Sequence, residues 1–227
     1  MAEPVSAILM DLEGAALPMR FLTETLAPLA RERLGAFIAL HGEEEEVEEA
    51  LEETGRLMGG FDLKPAEAEA LLLRWMKQDR KATPLKFIQG RIWQEAYAAG
   101  LLKIEFYQDA ADSIKAWAAA GLRLFVYSSN SEEAQKLLLR HTPYGDLTPF
   151  FEGFFDTASG QKIEPGSYRN IAGRLALPAS SFLVLSGNEE ELDAAQSAGF
   201  ATTRIAREGS VKSRHKVSPD FLTLKLE

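Results

Sequence analysis

Ala7-Ile8-Leu9-Met10-Asp11-Leu12-Glu13-Gly14 is an apolar run that stops in two carboxylates one residue apart. Such a run reads as a strand buried on both faces, the form strands take in a parallel sheet. Open α/β sheets keep their sites at the carboxyl ends of their strands, so these acids mark a candidate site as well as a strand end. Residues i and i+2 of an extended chain point the same way, which lets Asp11 and Glu13 face one cavity. Two acids so placed divide the labour. One stays ionised as nucleophile or metal ligand, and the other keeps or shuttles a proton, because like charges push their pKa values apart. Gly14 permits the sharp departure of the chain. A strand ending in a solvated polar turn explains the same residues, so the motif does not decide the chemistry by itself.

The rhythm of the remaining chain fixes the setting. From Met19 to Leu40 the apolar positions Phe21, Leu22, Leu26, Leu29, Leu34, Phe37 and Ile38 recur at helical spacing. The acidic run Glu43 to Glu53 reads as a solvated helix face or as a docking surface. Pro65 and Thr83-Pro84 look like helix starts, leading through Trp75 and toward Tyr97 respectively. Nothing between Met19 and Gly100 reads as a strand. After Tyr107 helix and strand alternate, with strands at Leu122–Tyr127, Phe154–Thr157, Phe182–Leu185 and, as the final one, Ala201–Ile205. The expectation is an α/β protein with a doubly wound, mainly parallel, Rossmann-like sheet and an inserted all-helical block. The core is assigned to 1–17 and 105–227, the insertion to 18–104.

Composition bounds the rest. At 227 residues and 46% hydrophobic, the chain buries a real core. It has no cysteine, which removes disulfides, thiolate metal sites and a cysteine nucleophile and fits a cytoplasmic location. Met1-Ala2-Glu3-Pro4 lacks the features of a signal peptide, and no apolar run is long enough to cross a bilayer. A net charge of −9 disfavours nucleic acid and anionic membranes as partners, leaving a small substrate, anionic ones included. A monomer is expected.

In a parallel sheet the residues following each strand gather at one edge. That edge would collect Asp11 and Glu13, Ser128 and Ser129, Lys162, and the turn Ser186-Gly187-Asn188-Glu189. The set matches phosphoryl transfer to a carboxylate: Asp11 as nucleophile, Glu13 as proton donor to the leaving oxygen, Ser128 and backbone amides on the phosphate oxygens, Lys162 as counter-cation, and a Mg²⁺ on carboxylate and phosphate. Each residue has a plainer reading too. Ser128-Ser129 also suits an ordinary helix cap, Lys162 a surface lysine, and the acids from Glu189 to Asp193 a helix start favoured by the dipole.

Taken in order, these residues resemble the haloacid dehalogenase superfamily of aspartate-nucleophile phosphatases and, within it, the acireductone synthase family of methionine salvage. The resemblance spans nearly the whole chain. It is carried by Asp11-Leu12-Glu13-Gly14, Ala30-Arg31-Glu32-Arg33-Leu34, Asp79-Arg80-Lys81, Gln89-Gly90-Arg91-Ile92-Trp93, Val126-Tyr127-Ser128-Ser129, Phe155-Asp156-Thr157 with Lys162, and Glu191-Leu192-Asp193-Ala194-Ala195. It implies a helical cap on a phosphatase core, one Mg²⁺, and a phosphorylated diketone with a methylthio group that is enolised and then dephosphorylated. Asp11 would be nucleophile and metal ligand. Glu13 would be general acid and lend its backbone carbonyl to the metal, while Ser128, Ser129 and Lys162 bind phosphate.

Two places depart from the family pattern. Ala15 and Ala16 stand where the family has two threonines, and Gly187 stands where it has a metal-binding aspartate. Water is one replacement for that ligand, and Asn188 or Glu189 swinging into place is another. Two further readings stay open: a catalytically impaired relative that binds a phosphorylated metabolite or a protein, and a phosphatase with a different small substrate, selected by residues such as Phe21, Trp93 and Tyr97.

Overall fold

A computed structural model describes residues 5–60, 63–209 and 211–225, and the leader reading of Met1 to Pro4 falls outside them. The chain forms two compact units, one ending at Met19 and resuming at Ile104, the other spanning Arg20–Lys103.

The first unit is built on a six-stranded sheet of β1 (Ala7–Met10), β2 (Arg123–Tyr127), β3 (Gly153–Phe155), β4 (Phe182–Ser186), β5 (Ala201–Ile205) and β6 (Lys216–Ser218). Its order is β3-β2-β1-β4-β5-β6 and every pairing is parallel. The order reverses at β1, which makes the end of β1 the switch point where such sheets bind their ligands. β1 is buried along its whole length, as its unbroken apolar run requires. Ala7, Leu9, Phe125, Tyr127, Phe182 and Val184 point to one face and pack with Tyr168 and Ile171 of α7 (Pro165–Leu175) and Leu192 and Ala195 of α8 (Glu189–Ser197). The alternate residues Ile8, Met10, Leu124 and Val126 are equally buried on the other face, where α5 (Gln108–Ala119) packs on β2. α6 (Glu132–Arg140) follows β2.

The sheet thus has one strand more than the sequence suggested, since Ala201–Ile205 is not the last. β6 escaped because it is three residues long with two of them exposed, an edge strand that carries no apolar pattern. What holds it is the buried His215 before it. Nδ1 lies 2.8 Å from the Thr202 hydroxyl of β5 and Nε2 lies 3.0 Å from Asp193 Oδ1 of α8. A lone histidine offered no spacing signal for that role.

The second unit is all helical among its described residues: a π-wound turn Phe21–Leu26 runs into α1 (Ala27–His41), followed by α2 (Glu45–Arg56), α3 (Pro65–Lys77) and α4 (Thr83–Ala98). Phe21 and Trp93 are core residues, almost wholly buried, and the Trp93 indole N–H donates to the Leu26 carbonyl at 2.9 Å. In α2, Val47 and Ala50 face inward while Glu45, Glu46, Glu48 and Glu49 are exposed, the arrangement of a solvated amphipathic helix. No helix among the described residues is long and apolar enough to cross a membrane.

Candidate active site

The parallel ladder continues one residue past β1, where the Asp11 N–H donates to the Leu185 carbonyl at 2.8 Å. The chain then turns sharply. The N–H groups of Ala16 and Leu17 both reach the Leu12 carbonyl, at 2.8 and 2.9 Å, and Gly14 takes a φ of +77°. An L side chain is strained there, so the glycine is what lets Glu13 return over the sheet edge. The backbone at Ala15 and Ala16 is held by partners from elsewhere in the chain. Arg207 Nε donates to the Ala15 carbonyl at 2.8 Å, Tyr107 N–H to the Ala16 carbonyl at 2.9 Å, and the Arg207 guanidinium, 4.1 Å from the Tyr107 ring centre, grips both Asp109 oxygens. Arg207 had no signal in the sequence, because its partner Asp109 lies 98 residues away.

Glu13 is buried against the loop after β2. The Ser128 hydroxyl donates to its two carboxylate oxygens at 3.0 and 3.2 Å, and the Asn130 side-chain amide donates to Oε1. The cap of α6 is Ser131, whose hydroxyl accepts from the Ala134 N–H at 3.4 Å. Capping therefore falls neither to Ser128 nor to Ser129, and Ser128 is left for the acid. Ser129 is half-buried beside it.

Lys162 arrives from the loop after β3. Gly160 in that loop has φ +119°, and a Cβ there would sit 2.1 Å from Ser167 Oγ, so only glycine fits. Two contacts fix the segment: the Tyr127 hydroxyl donates to the Gly160 carbonyl at 3.0 Å, and the Ser167 hydroxyl to the Gln161 carbonyl at 2.8 Å. The ammonium so delivered lies 2.7 Å from Asp11 Oδ1 and 2.8 Å from Glu191 Oε2. It is not the surface lysine of the plainer reading, since its side chain is 10% exposed. Glu191 also accepts from the Ser186 hydroxyl at 2.7 Å.

Charge is unevenly matched here. Burial pushes the Asp11 carboxyl well above the ordinary carboxylate range; Lys162 pulls it down, while Glu191 and Glu13 push it further up. Burial alone would lower the Lys162 ammonium, but the two carboxylates touching it outweigh that and raise it. Two buried acids, Asp11 and Glu191, thus share one buried cation.

The structure therefore brings Asp11, Lys162 and Glu191 into direct contact, and places Glu13 with Ser128 on the adjoining side of the turn. Glu191 has no site signal in the sequence because it is one of four acids at the start of α8, which the helix dipole explains as a group. Its burial against Ser186 and Lys162 is decided by the helix phase. The turn after β4 is less accommodating to the readings placed on it. Asn188 Oδ1 caps α8 through the Glu190 N–H at 2.9 Å. Glu189 is engaged by Arg204, by the Ser213 hydroxyl and by the Arg214 N–H. Both side chains are turned to these partners, not to the place opposite Gly187.

The donor set admits a divalent cation in a limited way. Among the described residues no group of three acidic or histidine side chains is arranged to hold a metal. Yet the buried surplus of carboxylate over ammonium suits an added positive charge. Mg²⁺ commonly binds through one or two carboxylates, keeping waters and taking substrate phosphate for the rest. An added Cβ at position 187 would make ordinary contacts with the Ile205 and Gly14 backbones, at 3.5 Å or more, so a side chain there meets no clash at its Cβ.

Comparison with known proteins points one way. No family model matches the chain. It is 59% identical over 222 residues to enolase-phosphatase E1 of Xanthobacter autotrophicus, covering 98% of this chain and 99% of that one. To enolase-phosphatase E1 of Pseudomonas syringae it is 45% identical, covering 96% of each. Among solved structures, the Saccharomyces cerevisiae UTR4 protein superposes with a TM-score of 0.75 at 33% identity, over 97% of this chain and all of that one. The L-2-haloacid dehalogenase of Xanthobacter autotrophicus shares the fold, with a TM-score of 0.56 at 16% identity over 96% of this chain and 95% of that one.

Proposed function

Because the chain belongs to the enolase-phosphatase E1 family of haloacid dehalogenase-type phosphatases, we propose that Asp11 is its nucleophile and that Glu13, Ser128, Ser129 and Lys162 complete the site. The observation that carries this is Asp11 itself, a buried carboxylate at the sheet's switch point with an ammonium 2.7 Å from one oxygen. Oδ1 holds Lys162 and accepts the Leu12 N–H at 2.9 Å, which turns the attack to Oδ2.

The reaction divides into two displacements. Asp11 Oδ2 forms a bond to phosphorus as the bond to the substrate oxygen breaks, and Glu13 gives that oxygen its proton. Water then attacks the acyl phosphate, Glu13 takes up a proton, and inorganic phosphate leaves Asp11 restored. Ser128, Ser129 and Lys162 meet the charge on the phosphoryl oxygens. The Asp11 carboxylate and the Glu13 backbone carbonyl are the residues that would hold Mg²⁺, which when bound supplies positive charge at the phosphate. Asn188 and Glu189 keep their capping and ion-pair roles. The substrate is the family's phosphorylated methylthio diketone, enolised before it is dephosphorylated, and the helical unit is the family's inserted cap.

Phosphate release by purified Asp11→Asn tests this. Turnover is expected to fall by more than about 10³-fold with the fold intact, as for loss of a covalent nucleophile. Retained turnover removes Asp11 from that role.

A further inference from the structure

We propose that Asn130 is the positioning residue that holds Glu13 during turnover, anchored in turn by Gln135. This rests on the reading of Glu13 as proton donor to the leaving oxygen. Glu13 accepts hydrogen bonds from two side chains, Ser128 and Asn130, and the two are not equivalent. A serine hydroxyl has one proton. Ser128 spends that proton on Glu13 while its oxygen accepts the Asn130 N–H at 3.0 Å. Once Ser128 turns its proton to a phosphate oxygen, it no longer restrains the acid. The Asn130 amide has two hydrogens and no part in binding phosphate, so it stays on Glu13 as Ser128 changes partner.

Asn130 is placed for this by its backbone. The Gln135 side-chain amide donates to the Asn130 carbonyl at 2.8 Å and to the Phe155 carbonyl at 2.9 Å. Gln135 is fully buried in α6 and Asn130 is 1% exposed, so this bridge pins the loop after β2 to the end of β3 without competition from water. The backbone from which the Asn130 amide reaches Glu13 is thereby fixed. A carboxyl that drifts by about 1 Å from the leaving oxygen forfeits about 10²-fold in rate.

The test separates proton donation from general damage by comparing two esters. A simple alkyl phosphate expels an alkoxide that needs a proton, whereas p-nitrophenyl phosphate expels a stable phenolate that does not. With no enolisation before them, kcat/KM reports the first bond-breaking step for each. Asn130→Ala is expected to lower kcat/KM by about 10- to 100-fold on the alkyl ester and by less than about 3-fold on the aryl ester. In a Glu13→Gln background the same change is expected to cost less than about 2-fold, because the group it positions is gone. Asn130→Ser, which keeps a shorter donor, carries the comparison if the alanine variant does not fold, and Gln135→Leu is expected to show the same ester dependence, more weakly. Equal losses on both esters, or an undiminished loss beside Glu13→Gln, overturn the proposal. An active Asp11→Asn control would overturn the reading of the site instead, so the two failures are distinct.

Discussion

Replacing Lys162 by Met is the sharpest test of the electrostatics, since it keeps an unbranched side chain one atom shorter and removes the ammonium with its charge and donors. At an effective dielectric constant near 20, an ion pair about 4 Å apart between charge centres contributes about 4 kcal/mol. Lys162 makes two such pairs, with Asp11 and Glu191, and its side chain is 10% exposed. Breaking a buried pair by removing one partner costs about 3–5 kcal/mol. The two losses do not simply add, because burial already favours the protonated form of Asp11 and a proton can replace the missing cation. We therefore expect Lys162→Met to lose about 3 kcal/mol at neutral pH without added divalent metal, a fall in Tm of about 6–12 °C for a chain of this size. The pH dependence follows from the signs. In the parent, the raised Lys162 pKa contributes stability that is fully present below the ordinary lysine value and is lost only as pH rises through the folded-state value. In the parent, the raised Asp11 pKa also makes stability highest below the ordinary aspartate value and declining as pH rises through the folded-state value; in the variant the lowering by Lys162 is gone, so that decline is steeper. The deficit of the variant should thus widen from acid toward neutral pH. Adding Asp11→Asn should narrow it, since one uncompensated charge is then gone. Thermal unfolding of the parent, the variant and the double variant between pH 5 and 8 measures all three effects. A variant within about 0.5 kcal/mol of the parent at neutral pH, or a deficit independent of pH, would refute the account of two buried acids around one ammonium.

Other expectations follow from geometry elsewhere. Gly160→Ala should cost about 2–4 kcal/mol in urea unfolding, combining an unfavourable backbone region with the contact against Ser167; adding Ser167→Ala should return at most part of the steric cost, because the Ser167 Cβ still lies 2.9 Å from the new methyl and the hydrogen bond to Gln161 is lost. Trp93→Phe should destabilise the helical unit by about 1–2 kcal/mol, because the buried Leu26 carbonyl loses its donor, and a change below about 0.3 kcal/mol would show that water replaces the indole N–H. Glu44 lies 2.6 Å from His41 Nδ1 and 2.9 Å from Arg91 Nη2, contacts that hold its carboxyl below the usual range. Its stabilising effect is present above the ordinary glutamate value and lost as pH falls through the folded-state value. The difference in Tm between parent and Glu44→Gln should therefore shrink on acidification, and a constant difference would count against it.

Much of this protein was legible in one dimension. An apolar strand that stops in Asp11 and Glu13, followed by a strandless helical stretch and then regular alternation, is enough to set a parallel sheet and to place its strand ends on one rim, because strand direction and crossover handedness leave few alternatives. Asp11, Glu13, Ser128 and Lys162 were found this way, as residues that follow strands. What periodicity does not encode is which side chains touch once those ends converge. Glu191 on Lys162, Asn130 on Glu13, and Arg207 under the Ala15 carbonyl are contacts between segments remote in sequence, selected by helix phase, loop closure and burial. The short strand β6 and its His215 anchor belong with them, being held by polar contacts that leave no apolar rhythm. Residue order is enough to set which chemical groups reach the sheet edge, since the hydrophobic pattern fixes strands and their ends. The tertiary structure alone decided how those groups are paired and charged, since hydrogen bonds and burial at a few ångströms depend on packing that no local pattern carries.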